Sequence, residues 1–289
     1  MNLVVARDEK VAKNIDPEIA IEAEWGNGFI NGSEITLNHH GVNSYNPPPC
    51  VAVVAPIADR NGKTVVFSHI DLDSIGGCLN VIGSSLHKNF MEFWKAVAFI
   101  DVNGPHKMGE IDITDEVETA IYAYWAFSQK PENRLPRFED DQETIQINDL
   151  IQKHVDALES ILVRKEKEFI ENGKKFKHDT EQMNTYSFIE ETDGVILREY
   201  DGFVNHLYTT PEGKICSVVI NHNKKYNSVT ISKAEDNVPI NCLEIMQSIF
   251  GSKAGGHPNI AGSPRNNNYS LDDAEKAYCT VLNYFKSLN

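Results

Sequence analysis

The stretch "KTVVFSHIDLDSIGG", residues 63–77, decides how the first half of the chain is read. Thr64, Val65, Val66 and Phe67 form a short β-branched and aromatic run, the signature of a strand buried on both faces. His69, Asp71 and Asp73 follow at once, alternating with Ile70 and Leu72. Such groups are costly to bury without partners. A strand that ends in three of them either enters a polar turn or ends in a metal site, and this stretch alone leaves both open. In a parallel sheet, ligands gather beyond the carboxyl ends of the strands, and imidazole with carboxylates suits manganese. Gly76 and Gly77 let the backbone approach closely as the next helix begins.

Working outward, "NLVVA" (2–6), "EITLN" (34–38), "CVAVVAP" (50–56) and "AVAFID" (96–101) also read as strands. The segment between "TVVFSH" and "AVAFID" reads as a crossover helix, which makes a βαβ unit and hence a parallel sheet. A helix is predicted over 112–129. A longer one runs from about 143 to about 174, where Ile147, Ile151, Val155, Leu158 and Leu162 form one stripe. That helix reads as a connector with a solvated, charged tail. A coiled-coil partner is the alternative, on a stripe of only about two heptads. Beyond it, "GVILREY", "KICSVVINH" and "SVTISK" read as strands. "NCLEIMQSIFGS" and "LDDAEKAYCTVLNYFKSL" read as helices, the second started by Ser270 with Asp272 and Asp273 in its first turn. The predicted fold class is α/β: a parallel-sheet N-terminal domain over 1–140, a connector helix and linker over 141–185, and a smaller α/β domain over 186–289.

Composition bounds the function. The 289 residues carry 41% hydrophobic and 24% charged side chains and a net charge of −15, ordinary for a soluble protein apart from the acidity. Residues 186–289 hold 9 Lys and Arg against 12 Asp and Glu, net −3, which leaves −12 for the rest. An acidic surface binds long nucleic acid poorly, but bound cations can reverse the sign locally for a small anion. No apolar run approaches the ~20 residues of a membrane helix, and the first ten residues lack the pattern of a signal peptide. A cytoplasmic protein with no membrane partner is expected. Cys50, Cys78, Cys216, Cys242 and Cys279 are scattered without a CxxC and read as buried, reduced thiols.

Three further stretches carry candidate chemistry. "AFIDVNGPH" ends an apolar run in Asp101, a candidate bridging carboxylate for two cations about 3.5–4 Å apart; a turn cap is the alternative. "ITLNHHGVN" places His39 and His40 after another strand, as one ligand and one substrate contact or as plain loop histidines. "KAGGHPNIAGSPR" joins paired glycines to His257 and Arg265, a loop that can present N–H groups and a cation to an anion.

Taken together, "FSHIDLDSIGG" resembles the first motif of the DHH phosphoesterase superfamily, and "GGHPNIAG" (255–262) is similar to the glycine-rich signature of the DHH-associated C-terminal domain. The resemblance covers nearly the whole chain. It implies a phosphoesterase with two divalent cations, manganese with magnesium as the alternative, in the first domain and substrate held by the second, with catalysis in the cleft between. On that resemblance His69, Asp71, Asp73, Asp101 and His39 are expected metal ligands, His40 a catalytic phosphate contact, and Gly255, Gly256, His257 and Arg265 substrate contacts. One departure is plain. The only His-His follows Asn38, not Asp, and precedes the other motifs. Either the sheet is circularly permuted, or "DVNGPH" is a degenerate motif with His106 in that role. The family's last metal aspartate has no clear match; Asp8 is the candidate. The implied substrate is a small nucleotide or short oligonucleotide: a short oligomer, a cyclic dinucleotide or a nucleoside bisphosphate. The alternatives are a single-strand exonuclease, a non-catalytic nucleotide-binding member and a pyrophosphatase-like enzyme.

Overall fold

A computed structural model describes residues 1–25, 28–40, 43–235, 237–264 and 267–288. The chain divides into two compact units, Met1–Lys177 and His178–Asn289.

The first unit opens with β1 (Asn2–Ala6), α1 (Glu9–Ile15) and β2 (Ile19–Ile21), then the short pair β3 (Glu24–Trp25) and β4 (Gly28–Phe29), then β5 (Ile35–Leu37) and β6 (Thr64–Phe67). With β7 (Thr144–Gln146) these give a five-stranded sheet of order β5-β2-β6-β1-β7. The first four strands are parallel and β7 is antiparallel at the edge. Alternate residues serve opposite faces, as strand geometry requires. Leu3, Val5, Ile19, Ile21, Val65 and Phe67 point into the larger core, while Val4, Ala6, Ala20 and Val66 join Val11 and Ala12 of α1 on the other face. β1 and β6 are buried on both faces and nearly continuously apolar, which is why the sequence pattern found them; β5 lies at the sheet edge with Thr36 exposed and was found from its Ile-Thr-Leu run.

The larger core is roofed by α2 (Leu72–Val81), α3 (Ser85–Lys88), α4 (Met91–Asn103), α5 (Asp115–Ser128) and α6 (Asn148–Leu158). Three predicted elements are corrected here. "AVAFID" is the C-terminal half of α4, not a strand: Phe93, Trp94, Val97 and Ile100 are buried at helical spacing, and its alanines favour helix. The βαβ reading of 64–101 fails with it, and the parallel sheet arises from β1, β2, β5 and β6. "CVAVVAP" is irregular chain after three prolines, with Val53 fully exposed. The helix expected over 143–174 is interrupted. α6 passes into a π-helical turn, Glu159–Val163, and the chain breaks at Lys165, φ +50°, before α7 (Lys167–Ser187). Its stripe is nonetheless in or against the core. Part of the charged tail packs too: backbone atoms of Ala123 in α5 sit where a Cβ on Gly173 would be.

In the second unit, β8 (Phe188–Thr192), β9 (Val195–Tyr200), β10 (Val218–Asn223), β11 (Ser228–Lys233), β12 (Gly255–His257) and β13 (Ile260–Gly262) form a mixed sheet of order β12-β13-β11-β10-β9-β8. One face buries Val195, Leu197, Val218, Ile220, Val229 and Ile231 against α8 (Cys242–Phe250) and α9 (Leu271–Leu288). The opposite face carries Arg198, which is fully buried. Its guanidinium donates to the carbonyls of Asn184, Leu207 and Thr209, to Ser187 Oγ and to Asn184 Oδ1. Four of the cysteines are buried as expected, but Cys279 is exposed on α9.

Candidate metal centre

Strands β5, β2 and β6 are neighbours and run parallel, so their carboxyl ends lie side by side. Glu22 follows β2, His39 and His40 follow β5, and Ser68 and His69 follow β6. The end of α4 adds Asp101 and the first turn of α2 adds Asp73.

Their polar atoms converge. His39 Nε2 lies 2.8 Å from Asp101 Oδ2 and 3.6 Å from both Glu22 Oε1 and Asp73 Oδ2. His40 Nε2 lies 2.8 Å from Glu22 Oε2, and His69 Nε2 lies 3.8 Å from the same oxygen. Three overlapping groups could each hold an ion: Glu22, His39 and Asp73; His39, His40 and Asp101; Glu22, His40 and His69. Both Glu22 oxygens, His39 Nε2, Asp73 Oδ2 and Asp101 Oδ2 are buried, and none makes a hydrogen bond of acceptable geometry despite these short separations. Buried acceptors left unpaired cost about 1–3 kcal/mol each, more when charged. A bare cluster of this kind is therefore unfavourable, and a divalent cation bound by these oxygen and nitrogen donors would satisfy it.

Local structure aims each group. Glu22 sits in the left-handed region at φ +49°, held there by hydrogen bonds from its N–H to Leu37 O and from Ser68 N to its carbonyl. Ser68 Oγ also donates to Glu22 O and contacts His69 Nδ1 at 2.9 Å. With its proton committed, the hydroxyl accepts from His69 Nδ1–H, which turns Nε2 toward the carboxylates of Glu22 and Asp71. Asp73 Oδ1 accepts from Cys50 N at 2.9 Å, while Cys50 O contacts His87 Nε2 at 2.7 Å. This loop lies against α2 because Gly76 and Gly77 have no side chains: a Cβ on Gly76 would meet Cys50 Cβ at 2.4 Å, and one on Gly77 would meet Pro49 at 2.6 Å.

The electrostatics follow from burial and like charge. Burial pushes the Asp73 carboxyl up to about 7, the Cys50 N–H opposing and the neighbouring Asp101 and Glu22 charges adding. The Glu22 carboxylate, 2.8 Å from its Nε2, leads in raising His40 to about 9, against burial. Burial opposes charge on His39 and His69, yet Asp101 and Glu22 outweigh it at the first, and Asp71 and Glu22 at the second. Burial would raise Asp71, but His69 and Ser74 hold it down at about 2.

The sequence-derived residues divide as follows. His39, His40, His69, Asp73 and Asp101 are brought together. Asp71 is the N-cap of α2, in a reciprocal capping box with Ser74, and its other oxygen faces His69 Nε2 at 3.3 Å. Among the described residues it joins none of the ion-holding groups, and neither does His106. Asp8 caps α1. Asn38 is buried, accepting from Ala23 N and donating to Ile30 O; an aspartate could not donate, which accounts for asparagine before the His-His pair. Gly255, Gly256 and His257 form the exposed edge strand β12. Gly256 has φ +141°, and a Cβ there would meet Ala261 Cα at 2.5 Å. Arg265 lies outside the described residues. Glu22 was missed in the sequence. Its signal was "EIAIEAEW" (18–25), three buried residues followed by a carboxylate, the same form as "TVVFSH" but too short to stand out.

No family model matches the sequence and no curated protein matches it. Solved structures do. The match to the pGpG-specific phosphodiesterase PggH from Vibrio cholerae runs over the whole chain, 99% of this one and 98% of that one, at 13% identity and a TM-score of 0.46. An exopolyphosphatase-related protein from Bacteroides fragilis matches over 88% of this chain and 64% of its own, at 12% identity and TM-score 0.37. An uncharacterized protein from Helicobacter pylori G27 matches at 14% identity over 89% and 76%, TM-score 0.23. Likenesses at these scores assign no activity. Among the described residues, no helix is long and apolar enough to cross a membrane.

Proposed function

We propose that the chain is a metal-dependent phosphoesterase of the DHH type, acting on a small nucleotide-type phosphate ester. The observation that carries this reading is the convergence of Glu22, His39, Asp73 and Asp101 at the ends of three parallel strands, with buried oxygens and a ring nitrogen that make no hydrogen bond of acceptable geometry. Glu22, His39, His69, Asp73 and Asp101 would hold the cations, with His40 at the rim. Two divalent cations, manganese by the donor set, would supply a water acidic enough to attack at neutral pH and would offset phosphate charge. Ser68 and Asp71 orient His69. The Cys50 peptide orients Asp73. His40, with nearly half its side chain exposed, is assigned the hydrogen bond to the phosphate. Gly255, Gly256, His257 and Arg265 are assigned to the substrate on the motif resemblance. The permuted order of motifs is favoured over His106, because His39 lies within 4 Å of both Asp73 and Asp101.

The test is hydrolysis with Mn²⁺ of ApA, a cyclic dinucleotide, adenosine 3′,5′-bisphosphate and bis(p-nitrophenyl) phosphate, with inorganic pyrophosphate and a 20-nucleotide single strand alongside. Turnover of the small esters that is lost on chelation is expected. Metal binding with no turnover of any of them overturns the reading, and preference for the long strand or for pyrophosphate redirects it.

A further inference from the structure

A recess of about 900 Å³ opens in the first unit between the starts of α4 and α5, the π-helical turn and α7. Small-molecule sites span roughly 300–1,000 Å³ and are walled mainly by apolar side chains. Here the apolar wall is Phe90, Met91, Val117, Ile161, Leu162 and Ile170. Ile161 and Leu162 are buried and the other four partly so. No residue of the recess belongs to the ion-holding groups of the metal centre. Two backbone irregularities shape it. The π-helical turn carries Ile161 and Leu162, and such turns recur at functional sites. Lys165 then takes φ +50°, a conformation that glycine adopts freely. Glycine there would relax the backbone but remove a cation from the rim.

Both signs of charge line the recess, but they are held differently. Glu92, Asp115 and Glu116 are all in the first turn of α4 or α5, where the helix dipole favours a carboxylate. Lys88 ends the short α3. Lys165 and Lys174 have only weak partners among the described residues. Lys165 meets Glu116 at 2.5 Å with both side chains more than half exposed, and Lys174 meets Glu171 at 3.5 Å with both again exposed. Exposed pairs of this kind contribute little, so an entering carboxylate can replace Glu116 and Glu171 on the two lysines.

We propose that this recess binds an amphipathic organic anion, with an unbranched alkyl chain against the apolar wall and its carboxylate on Lys165 and Lys174. The site uses none of the metal ligands, so it stands whether or not the centre is catalytic.

The test compares dodecanoate with dodecyltrimethylammonium, the same chain with opposite heads. Dissociation constants are measured by calorimetry on the full chain, below the micelle concentration of each. Wild type is expected to bind dodecanoate at least about tenfold more tightly than the ammonium. Lys165→Gly relaxes the backbone, so its melting temperature holds or rises while that ratio falls. Adding Lys174→Ala removes the ratio. Lys175→Ala, on α7 outside the recess, leaves it intact. Val117→Trp fills the recess and weakens both ligands, with a thermal melt to show that it folds. No binding of dodecanoate by wild type, no preference for it over the ammonium, a ratio that survives in the double lysine variant, or binding that a folded Val117→Trp leaves unchanged overturns the proposal.

Discussion

Asp73 and Glu22 reach the same cluster by different means. Asp73 is fixed by a peptide N–H, Glu22 by its own backbone pinned between Leu37 and Ser68. Replacing either carboxylate with its amide keeps the shape and removes the charge. Glu22→Gln and Asp73→Asn are each predicted to weaken Mn²⁺ binding by at least about tenfold, read as loss of the Mn²⁺-dependent rise in melting temperature. Undiminished binding in Glu22→Gln would remove Glu22 from the ligand set. His87 acts at one remove, through Cys50 O. His87→Ala should lower metal affinity or activity by about 10–100-fold, and His87→Gln, which keeps a donor, should recover much of it. Equal loss in both variants would point to a packing role against Trp94, whose ring centroid lies 5.9 Å from that of His87.

Helices and strands explain which parts of this molecule were legible. A strand buried on both faces shows as a run of Val, Ile and Phe, and β1 and β6 were found that way, whereas the edge strand β5 was found with Thr36 exposed between Ile35 and Leu37. "AVAFID" shows the same run, yet its period is helical once Phe93 and Trp94 are counted. The window that isolates it from "MEFWK" hides this. Asp101 was therefore identified as a site residue on a mistaken element: it arrives from a helix end, not a strand end. β2 was too short to register, and Glu22 was lost with it. The break at Lys165 had no glycine or proline to mark it. Close packing of α2 yields its own prediction. Gly76→Ala puts a methyl into Cys50 and Trp94 and should cost about 1–3 kcal/mol, with reduced Mn²⁺ binding because the Cys50 loop must shift; urea titration and calorimetry read the two effects. In the second unit, Arg198→Met fits the space but strands five acceptors, and a loss of about 3 kcal/mol or more is expected by urea denaturation. An unchanged midpoint would show that water replaces the guanidinium.

At the scale of the whole molecule, stability should respond to acid through buried imidazoles away from the centre. His154 is enclosed between the Tyr124 hydroxyl at 2.8 Å and Asn133 O at 2.9 Å, and burial lowers its proton affinity below the ordinary histidine value. The unfolded chain then takes up a proton near pH 6.5 that the folded chain refuses. The contribution is complete above that pH and declines as pH falls through it toward the lowered value. His154→Gln should show a shallower loss of unfolding free energy between pH 7.5 and 5.5 than wild type; parallel curves would contradict the assignment. The left-handed backbone at Glu22 bears on evolvability. Only glycine adopts that conformation without penalty, and residues so held cost on the order of 1–3 kcal/mol. Glycine there would also dissolve a cluster of mutually repelling charges. Selection for heat resistance alone should thus drift toward Glu22→Gly, a sturdier protein with a dismantled candidate metal centre, whereas a glutamate retained against that pressure would be the mark of a chain still selected for that cluster.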